Sequence, residues 1–281
     1  MGIPRGAQGR SRQIGQERTQ VARQGRNDVQ TRQPAVVKNV LLLKAGEAAE
    51  SVRLTVGDYE HWFLGTIGLE GHRFDILPVH RDAPLPRDAH AYDAVMMTGS
   101  PLSVTRLEPW MERVADFMVE AGEKGTPVLG VCFGHQLLAR AYGGHVARNP
   151  QGRETGTVEV RLTEAGRRDA LFDGVPEVFA AQATHEDIVA QVPEGATVLA
   201  GNANTAAQAL AFRPKVRGVQ FHPEAAPDAL RAVIHARQEG LEQEAVARGI
   251  PPGAQVPRLL AGLTPTPAGR RILMNFLERF T

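Results

Sequence analysis

The chain has 281 residues, of which 42% are hydrophobic and 22% are charged, and its formal net charge is +1. This composition is typical of a globular protein with a sizeable core and excludes disorder of the whole chain, and no apolar run approaches the roughly 20 residues of a membrane-spanning helix. Because the charges nearly balance, no overall positive field would attract nucleic acid, and we expect neither a membrane nor a nucleic-acid partner.

Residues 1–38 differ in composition from the rest of the chain. They contain eight basic and two acidic residues, and they lack Leu, Phe, Tyr and Trp. Such a segment cannot bury enough apolar surface to offset its loss of conformational entropy, and it has no apolar core for a secretory signal. We favour a disordered basic tail or a misassigned start; a basic arm that contacts nucleic acid or an acidic partner, and an organelle transit peptide, are the alternatives.

From residue 39 to residue 144, short apolar runs alternate with amphipathic segments. Asp58 is a plausible N-cap of one helix, Pro109 suits the first position of another, and Gly143 with Gly144 would end a third. This alternation indicates an α/β fold with a mostly parallel sheet. The predicted strands cover residues 39–43, 74–79, 94–98 and 126–131, and the predicted helices begin at residues 58, 109 and 133.

After residue 157 the pattern changes to short strands followed by two closing helices. Residues 250–267 contain five prolines and are predicted to form a loop between these helices. We expect a single domain, residues 39–281, with an open, mostly parallel sheet flanked by helices. The predicted strands include residues 158–162, 178–179, 188–189, 209–212 and 218–221, and the closing helices cover residues 228–248 and 267–280.

The single cysteine, Cys132, lies between two glycines where a predicted strand runs into a predicted helix. This spacing is typical of a nucleophile elbow, a tight turn that exposes the nucleophile above the sheet, and the helix N-terminus favours a thiolate. One cysteine excludes an intramolecular disulfide and a cysteine-based zinc site, and it fits a reducing, cytoplasmic compartment. The alternative is an ordinary buried thiol.

A base for this nucleophile is predicted at the end of another strand. His222 follows an apolar run, and Glu224 stands two residues later. The carboxyl ends of parallel strands meet at one edge of the sheet, where the catalytic groups of open α/β folds gather. A nucleophile needs a base, and the base needs an orienting group. The alternative, a surface His-Pro turn, is the weaker interpretation beside an elbow.

A third predicted strand ends in a loop of backbone donors at residues 98–101. Acyl transfer requires two N–H groups directed at the oxyanion that develops in the transition state. Gly99 and Phe133, the residue after the nucleophile, are the natural pair. Taken alone, however, this loop indicates only a turn.

These segments together resemble the class I glutamine amidotransferases, which carry a Cys-His-Glu triad. The resemblance rests on residues 130–136, 221–224 and 99–101, and residues 184–189 are similar to the GMP synthase branch of the family. It extends in order and spacing over about residues 39–280. The resemblance therefore implies a class I glutamine amidotransferase-like domain.

The resemblance also implies a role for each matched residue. Cys132 would attack the side-chain amide of glutamine, and His222 would act as a base and then as the acid for departing ammonia. Glu224 would orient His222, and water would release glutamate from the thioester. We expect no metal and no cofactor. Three further residues are expected to bind the substrate: Gln136, and at the mouth of the pocket Thr184 and His185.

Two departures from the family pattern bear on the function. Thr98 stands where the family usually has the first of two glycines, and there is no glycine pattern for binding a nucleotide, so we do not expect GMP synthesis by this chain. The favoured function is hydrolysis of glutamine, with ammonia passed to a separate synthetase partner. A γ-glutamyl peptide hydrolase, similar to plant enzymes that act on glutathione conjugates, and a non-catalytic binding module are the alternatives.

Overall fold

The structure is a computed structural model that describes residues 1–2 and 37–281. The predicted basic tail, residues 1–38, lies almost wholly outside the described residues, so its interpretations stay predictions. The helices and strands described here belong to one unit, residues 37–281.

The described strands form one large sheet and one small one. Their bounds are β1 (Lys38–Lys44), β2 (His72–Pro78), β3 (Ala94–Met97), β4 (Val128–Val131), β5 (His145–Arg148), β6 (Glu154–Leu162), β7 (Val178–His185), β8 (Asp187–Gln191), β9 (Thr197–Gly201), β10 (Ala209–Arg213) and β11 (Val216–Val219). The large sheet has the order β2-β1-β3-β4-β11-β10-β9-β6-β7, and β5 pairs with β8. The first five strands in this order are parallel, and the remaining neighbours are antiparallel.

Helices cover both faces of the large sheet. Their bounds are α1 (Glu50–Val56), α2 (Tyr59–Ile67), α3 (Pro109–Glu123), α4 (Phe133–Ala141), α5 (Glu164–Arg168), α6 (Pro227–Ala236), α7 (Gln238–Val246), α8 (Gln255–Ala261) and α9 (Ala268–Arg279). In β1, Val40 and Leu42 pack in a cluster with α2 and α9, whereas Leu41 and Leu43 pack with α3 and α4. Burial of each such side chain contributes roughly 1.5–3 kcal/mol. A strand buried on both faces explains the continuous apolar run at the start of the domain.

A third apolar cluster anchors the segment after β11. It joins side chains of α1, α2, α6 and α7, and it includes Ala225. Because Ala225 directly follows Glu224, this cluster fixes the chain just beyond the predicted base and its carboxylate.

The predicted fold class is confirmed, and two local predictions are correct at the level of single residues. Asp58 is the N-cap of α2 and forms a capping box with His61, and Pro109 is the first residue of α3. The parallel strands of the amino-terminal half occupy the predicted positions within a few residues.

Two predictions near the end of the chain are wrong. The helix expected at residues 228–248 is two helices, because the chain turns at Arg237, where a guanidinium N–H donates to Thr184 Oγ1. The loop expected at residues 250–267 contains α8, whose apolar side chains pack against the third cluster. Pro257 lies in the first turn of α8, where its missing N–H removes no helical hydrogen bond. Four short elements, α1, α5, β5 and β9, are too brief to give a periodic signal and are absent from the prediction.

Candidate active site

Three loops of the predicted site lie side by side at the carboxyl edge of the parallel strands. β3 ends at Met97, which pairs with Gly130 of β4, and Val131 of β4 pairs with Val219 of β11. The residues that follow these strands therefore emerge as neighbours. The register brings together the loop at residues 98–101, the turn at Cys132 and the segment that contains His222, which are more than 30 residues apart in the sequence.

Cys132 occupies a strained backbone conformation at the junction of β4 and α4. It is the N-cap of α4, with φ 49° and ψ −96°, a conformation that costs an L-residue free energy. Its N–H donates to Val219 O at 2.8 Å. A Cβ at Gly130 would lie 2.4 Å from Gly134 O, and one at Gly134 would lie 2.9 Å from Met97 Cβ. Both flanking glycines are thus required by close packing, as the elbow interpretation predicts.

His222 is buried and held from two sides. Its Nδ1 lies 2.8 Å from Glu224 Oε1, and its backbone N–H donates to Gln182 O. Burial lowers the pKa of His222, but the charges of Glu224 and Cys132 and hydrogen bonding with both side chains outweigh it and raise this pKa to about 10. The arrangement therefore favours an imidazolium ion beside the sulfur at neutral pH, which stabilises a thiolate.

Glu224 is 1% exposed and is directed at His222. Among the described residues its Oε2 has no hydrogen-bond partner, and its backbone carbonyl accepts from Thr66 Oγ1 at 2.9 Å. A carboxylate taken out of water is costly unless a cation compensates it. The only group bonded to this carboxylate in the described part of the chain is the His222 ring, so the two side chains stabilise each other's charge.

Gly99 and Phe133 offer unengaged backbone donors next to this pair. In residues 37–281, neither N–H has a hydrogen-bond acceptor. A Cβ at Gly99 would lie 2.8 Å from His222 Cε1 and 3.6 Å from Cys132 Cβ, so only glycine fits there without displacing the ring. Thr98, the departure from the family pattern, is fully buried, and its hydroxyl accepts from Ala45 N and donates to Gly99 O. Threonine thereby anchors the loop that presents Gly99.

Gln136 lies one helical turn after the cysteine, and its carboxamide has a defined orientation. Its Nε2 donates to Asp187 O at 2.8 Å and to Gln220 Oε1 at 3.1 Å. Both amide hydrogens are thus used within the protein. The group that Gln136 can offer to a ligand is its Oε1, a hydrogen-bond acceptor.

His185 does not lie at the mouth of a pocket, contrary to the expectation from the sequence. It is 3% exposed, its Nε2 lies 2.9 Å from Glu154 Oε2, and its Nδ1 lies 3.1 Å from Asp187 O. The physical reason is Glu154, a buried carboxylate that needs donors around it. The donors to Glu154, besides the His185 ring, are Asn202, Thr205 and Gln208. Thr184 is half-buried and accepts from Arg237.

Replacement of Glu154 with glutamine is expected to destabilise the protein by about 2 kcal/mol at neutral pH, the usual loss for hydrogen bonds to a charged group. Burial alone raises the pKa of Glu154, but His185, Asn202 and Gln208 outweigh it, and the net pKa is lowered from 4.5. A lowered pKa contributes stability that is present above pH 4.5 and is lost as the pH falls. Urea unfolding of both proteins between about pH 7 and pH 3 should therefore show a shallower acid loss in the variant. Equal slopes would contradict this account.

Two residues near the site carry no motif in the sequence, Gln220 and Arg237. Gln220 is fully buried, and its Nε2 donates to Cys132 Sγ at 3.7 Å. The one feature of the sequence that could have indicated a role for Gln220 is that a polar residue stands at the end of an apolar strand, two positions before His222.

Arg237 has no acidic partner in the described part of the chain: within residues 37–281, no carboxylate lies within ion-pair distance of it. Burial raises the pKa of Tyr59, Arg237 opposes this rise, and the charges of Cys132 and Glu224 add to it. Tyr59 therefore lies within electrostatic range of Cys132 and Glu224, and Arg237 lies within electrostatic range of Tyr59.

The part of the chain that the structure describes offers neither a metal centre nor a membrane span. No cluster of three or more His, Cys, Asp or Glu side chains there could hold a metal ion. No helix in the described ranges is long and apolar enough to cross a membrane.

Comparisons with known proteins identify the family and the fold that this chain resembles. The profile of the family "Glutamine amidotransferase class-I" matches residues 57–238. Gamma-glutamyl peptidase 4 of Arabidopsis thaliana is 30% identical over 201 residues, which cover 70% of this chain and 80% of that protein. A subunit of the glutamine-hydrolyzing GMP synthase of Saccharolobus solfataricus is 30% identical over 169 residues, 60% of this chain and 85% of that protein. A glutamine amidotransferase structure from Methylobacillus flagellatus, 24% identical, has a TM-score of 0.69 over 87% of this chain and 96% of its own, which supports the fold.

Proposed function

The chain belongs to the class-I glutamine amidotransferase family, and on this basis we propose that it hydrolyses the γ-amide bond of a γ-glutamyl substrate through a thioester on Cys132. The observation that carries this proposal is the buried His222–Glu224 pair, 2.8 Å apart, beside a cysteine at the N-terminus of α4. Such an arrangement combines a nucleophile, a base and an orienting carboxylate. A non-catalytic binding module would not require this buried pair of ionisable side chains, whose removal from water costs free energy.

In the first half of the reaction, the Cys132 thiolate attacks the γ-carbonyl carbon. The carbonyl oxygen becomes negatively charged and accepts hydrogen bonds from the N–H groups of Gly99 and Phe133. The imidazolium of His222 gives its proton to the γ-nitrogen, the C–N bond breaks, and the amine departs. The products of this half are a neutral His222 and a γ-glutamyl thioester.

In the second half, water attacks the thioester carbon and transfers a proton to His222. The C–S bond breaks, glutamate leaves, and the thiolate–imidazolium pair forms again, so atoms and charges balance over the cycle. Glu224 remains an anion throughout and stabilises the imidazolium in both halves. Every proton and electron pair in these steps is supplied by the substrate, water, Cys132 or His222.

Two side chains, Gln136 and Arg237, would recognise the α-ammonium and the α-carboxylate of the glutamyl group. The Gln136 Oε1 would accept a hydrogen bond from the α-ammonium, because both of its amide hydrogens are already engaged. Arg237 would attract the α-carboxylate, since it has no carboxylate partner among the described residues. His185 would act on the substrate only indirectly, through Asp187 O and Gln136.

In the form of the reaction that we favour, the leaving group is an amino acid or a small peptide. Three γ-glutamyl peptidases of Arabidopsis thaliana are 28–30% identical to this chain and are covered over 77–80% of their own lengths. Thr98, in place of the usual glycine before Gly99, also separates this chain from the common amidotransferase pattern. The second candidate is glutamine hydrolysis with ammonia delivered to a separate synthetase, which the similarity to glutamine-hydrolyzing GMP synthase subunits favours.

A panel of substrates separates the two candidates. We expect the purified full-length chain to release glutamate from γ-glutamyl dipeptides and glutathione conjugates at least about tenfold faster, in kcat/KM, than from glutamine. Analogues with an acetylated α-amino group or an amidated α-carboxylate should be cleaved poorly, because Gln136 and Arg237 would lose their partners. The Cys132→Ala protein is the background control.

A preference for glutamine would contradict peptide hydrolysis and support the synthetase-linked candidate. Hydrolysis of amides that lack the γ-glutamyl group altogether would contradict both.

A further inference from the structure

Gln220 connects the nucleophile to the predicted substrate-binding glutamine. It is the residue after β11, it is fully buried, and its backbone N–H donates to Gln208 O at 2.8 Å. His222 follows two positions later, so the chain holds both side chains close to the same edge of the sheet. The backbone of Gln220 is therefore as firmly fixed as that of the base.

The two ends of the Gln220 carboxamide form hydrogen bonds with different residues. Its Nε2 donates to Cys132 Sγ at 3.7 Å, and its Oε1 accepts from Gln136 Nε2 at 3.1 Å. A hydrogen bond to an anion is stronger than one to a neutral group, so the first contact favours the thiolate. The second contact requires Gln136 to present its amino group to Gln220. The Gln136 Oε1 then points away from Gln220 and is available to accept a hydrogen bond from a ligand.

We propose that Gln220 is a positioning residue of this site, which directs the Cys132 sulfur with one end of its carboxamide and sets the orientation of Gln136 with the other. This proposal rests on the function proposed above for its effect on substrate binding, whereas the effect on the sulfur is independent of any substrate. The Gln220 N–H favours the charged form of the sulfur and holds it in one position, so a smaller share of the protein presents an oriented thiolate when Gln220 is lost. Loss of Gln220 should therefore slow the reaction of Cys132 with electrophiles.

Alkylation by iodoacetamide measures this effect directly. Cys132 is the only cysteine in the chain, so the full-length protein gives a signal from this site alone. Gln220→Glu keeps an acceptor for Gln136 but places an oxygen against the sulfur, and Gln220→Met removes both contacts. We expect alkylation near neutral pH to be about tenfold slower in each variant, in line with the loss of a hydrogen bond to a charged group.

The pH profile distinguishes positioning from a merely structural role. The titratable and charged groups near this site are His222 and Glu224, together with Tyr59 and the two groups that act on Tyr59, Asp58 and Arg237, and all five are retained in both variants. The alkylation profile should move to higher pH, most in Gln220→Glu, because a negative carboxylate opposes the thiolate. In Gln220→Met, KM for an accepted γ-glutamyl substrate should also rise, since Gln136 is no longer held in one orientation.

Asn275 provides the matched control. It is 1% exposed, and its carboxamide donates to Leu171 O and Asp173 O rather than to the cysteine or to its neighbours in the site. Asn275→Asp should lower stability while its alkylation rate stays within about twofold of the wild type.

A measurement that needs no Gln220 variant completes the test. The side-chain amide resonances of Gln220 should shift on Cys132→Ser substitution, while those of Asn275 should not, so the proposal stays testable if a Gln220 variant fails to fold.

Folded Gln220 variants with wild-type alkylation rates and profiles would overturn the proposal, and so would unchanged Gln220 resonances. Slower alkylation in a protein that cleaves no γ-glutamyl compound would support the role of Gln220 and would contradict only the proposed function.

Discussion

Replacement of Cys132 with alanine is expected to reduce γ-glutamyl hydrolysis by roughly 10⁵-fold or more, the size of effect that removal of a covalent nucleophile has elsewhere. The physical reason is that no other described side chain at this edge combines a nucleophile with a helix N-terminus and an adjacent base. The variant should stay folded, because alanine retains the Cβ that packs in the core cluster around Cys132. Initial rates and thermal unfolding of the two proteins measure both effects.

Glycine at the same position is the informative second variant. Because φ at Cys132 is 49°, an L-residue is strained there, and Cys132→Gly should be more stable than Cys132→Ala by about 1 kcal/mol. Both variants should be equally inactive. A residual rate well above background in either variant, or a glycine variant less stable than the alanine variant, would contradict the elbow as described.

Replacement of Glu224 with glutamine is expected to lower kcat by roughly 10²–10⁴-fold, as removal of the orienting carboxylate does in comparable triads. The raised pKa of His222, about 10, depends on the charge of Glu224 after burial is overcome. Without that charge the imidazolium should lose its proton at a lower pH, so the alkaline limb of the rate profile should move from about pH 10 towards neutrality. Glu224→Asp, which keeps the charge, should retain most of the alkaline range.

The same pKa predicts a change in stability with pH. A folded-state pKa above the usual 6.5 means that the contribution of His222 is fully present below pH 6.5 and is lost as the pH rises through about 10. The wild type should therefore lose more stability than Glu224→Gln over this range, as measured by urea unfolding at several pH values. Identical dependences in the two proteins would mean that Glu224 does not raise this pKa.

Three candidate site residues could be located in the sequence because each comes shortly after a strand whose apolar run is easy to detect. Strand ends of a parallel sheet share one edge, so Cys132, His222 and Gly99 could be expected to meet on the sequence pattern alone. The register of β3, β4 and β11 then follows from the packing of both sheet faces. Prediction was strongest where a local pattern and the fold impose the same requirement.

Prediction failed where long-range contacts override the local pattern. His185 belongs to a short motif that led us to expect it at the mouth of a pocket. Its ring is instead buried, because it bonds to the carboxylate of Glu154, which stands 31 residues earlier in the chain. Arg237 looks like one more charge on an amphipathic helix, and only its contact with Thr184 marks the break there. The two ends of the Gln220 carboxamide reach residues 88 and 84 positions away, a relation that no sequence spacing reveals.

The measurement that tests the central claim most directly is covalent labelling with a glutamine analogue that carries a diazoketone in place of its side-chain amide. This analogue presents the γ-glutamyl group to the nucleophile and converts the transient thioester into a stable bond. We expect one molecule of the analogue to be attached to Cys132, with loss of hydrolysis and with protection by an accepted substrate. Attachment to another residue, or an unmodified Cys132 in a protein that still hydrolyses its substrate, would contradict a thioester mechanism at this cysteine.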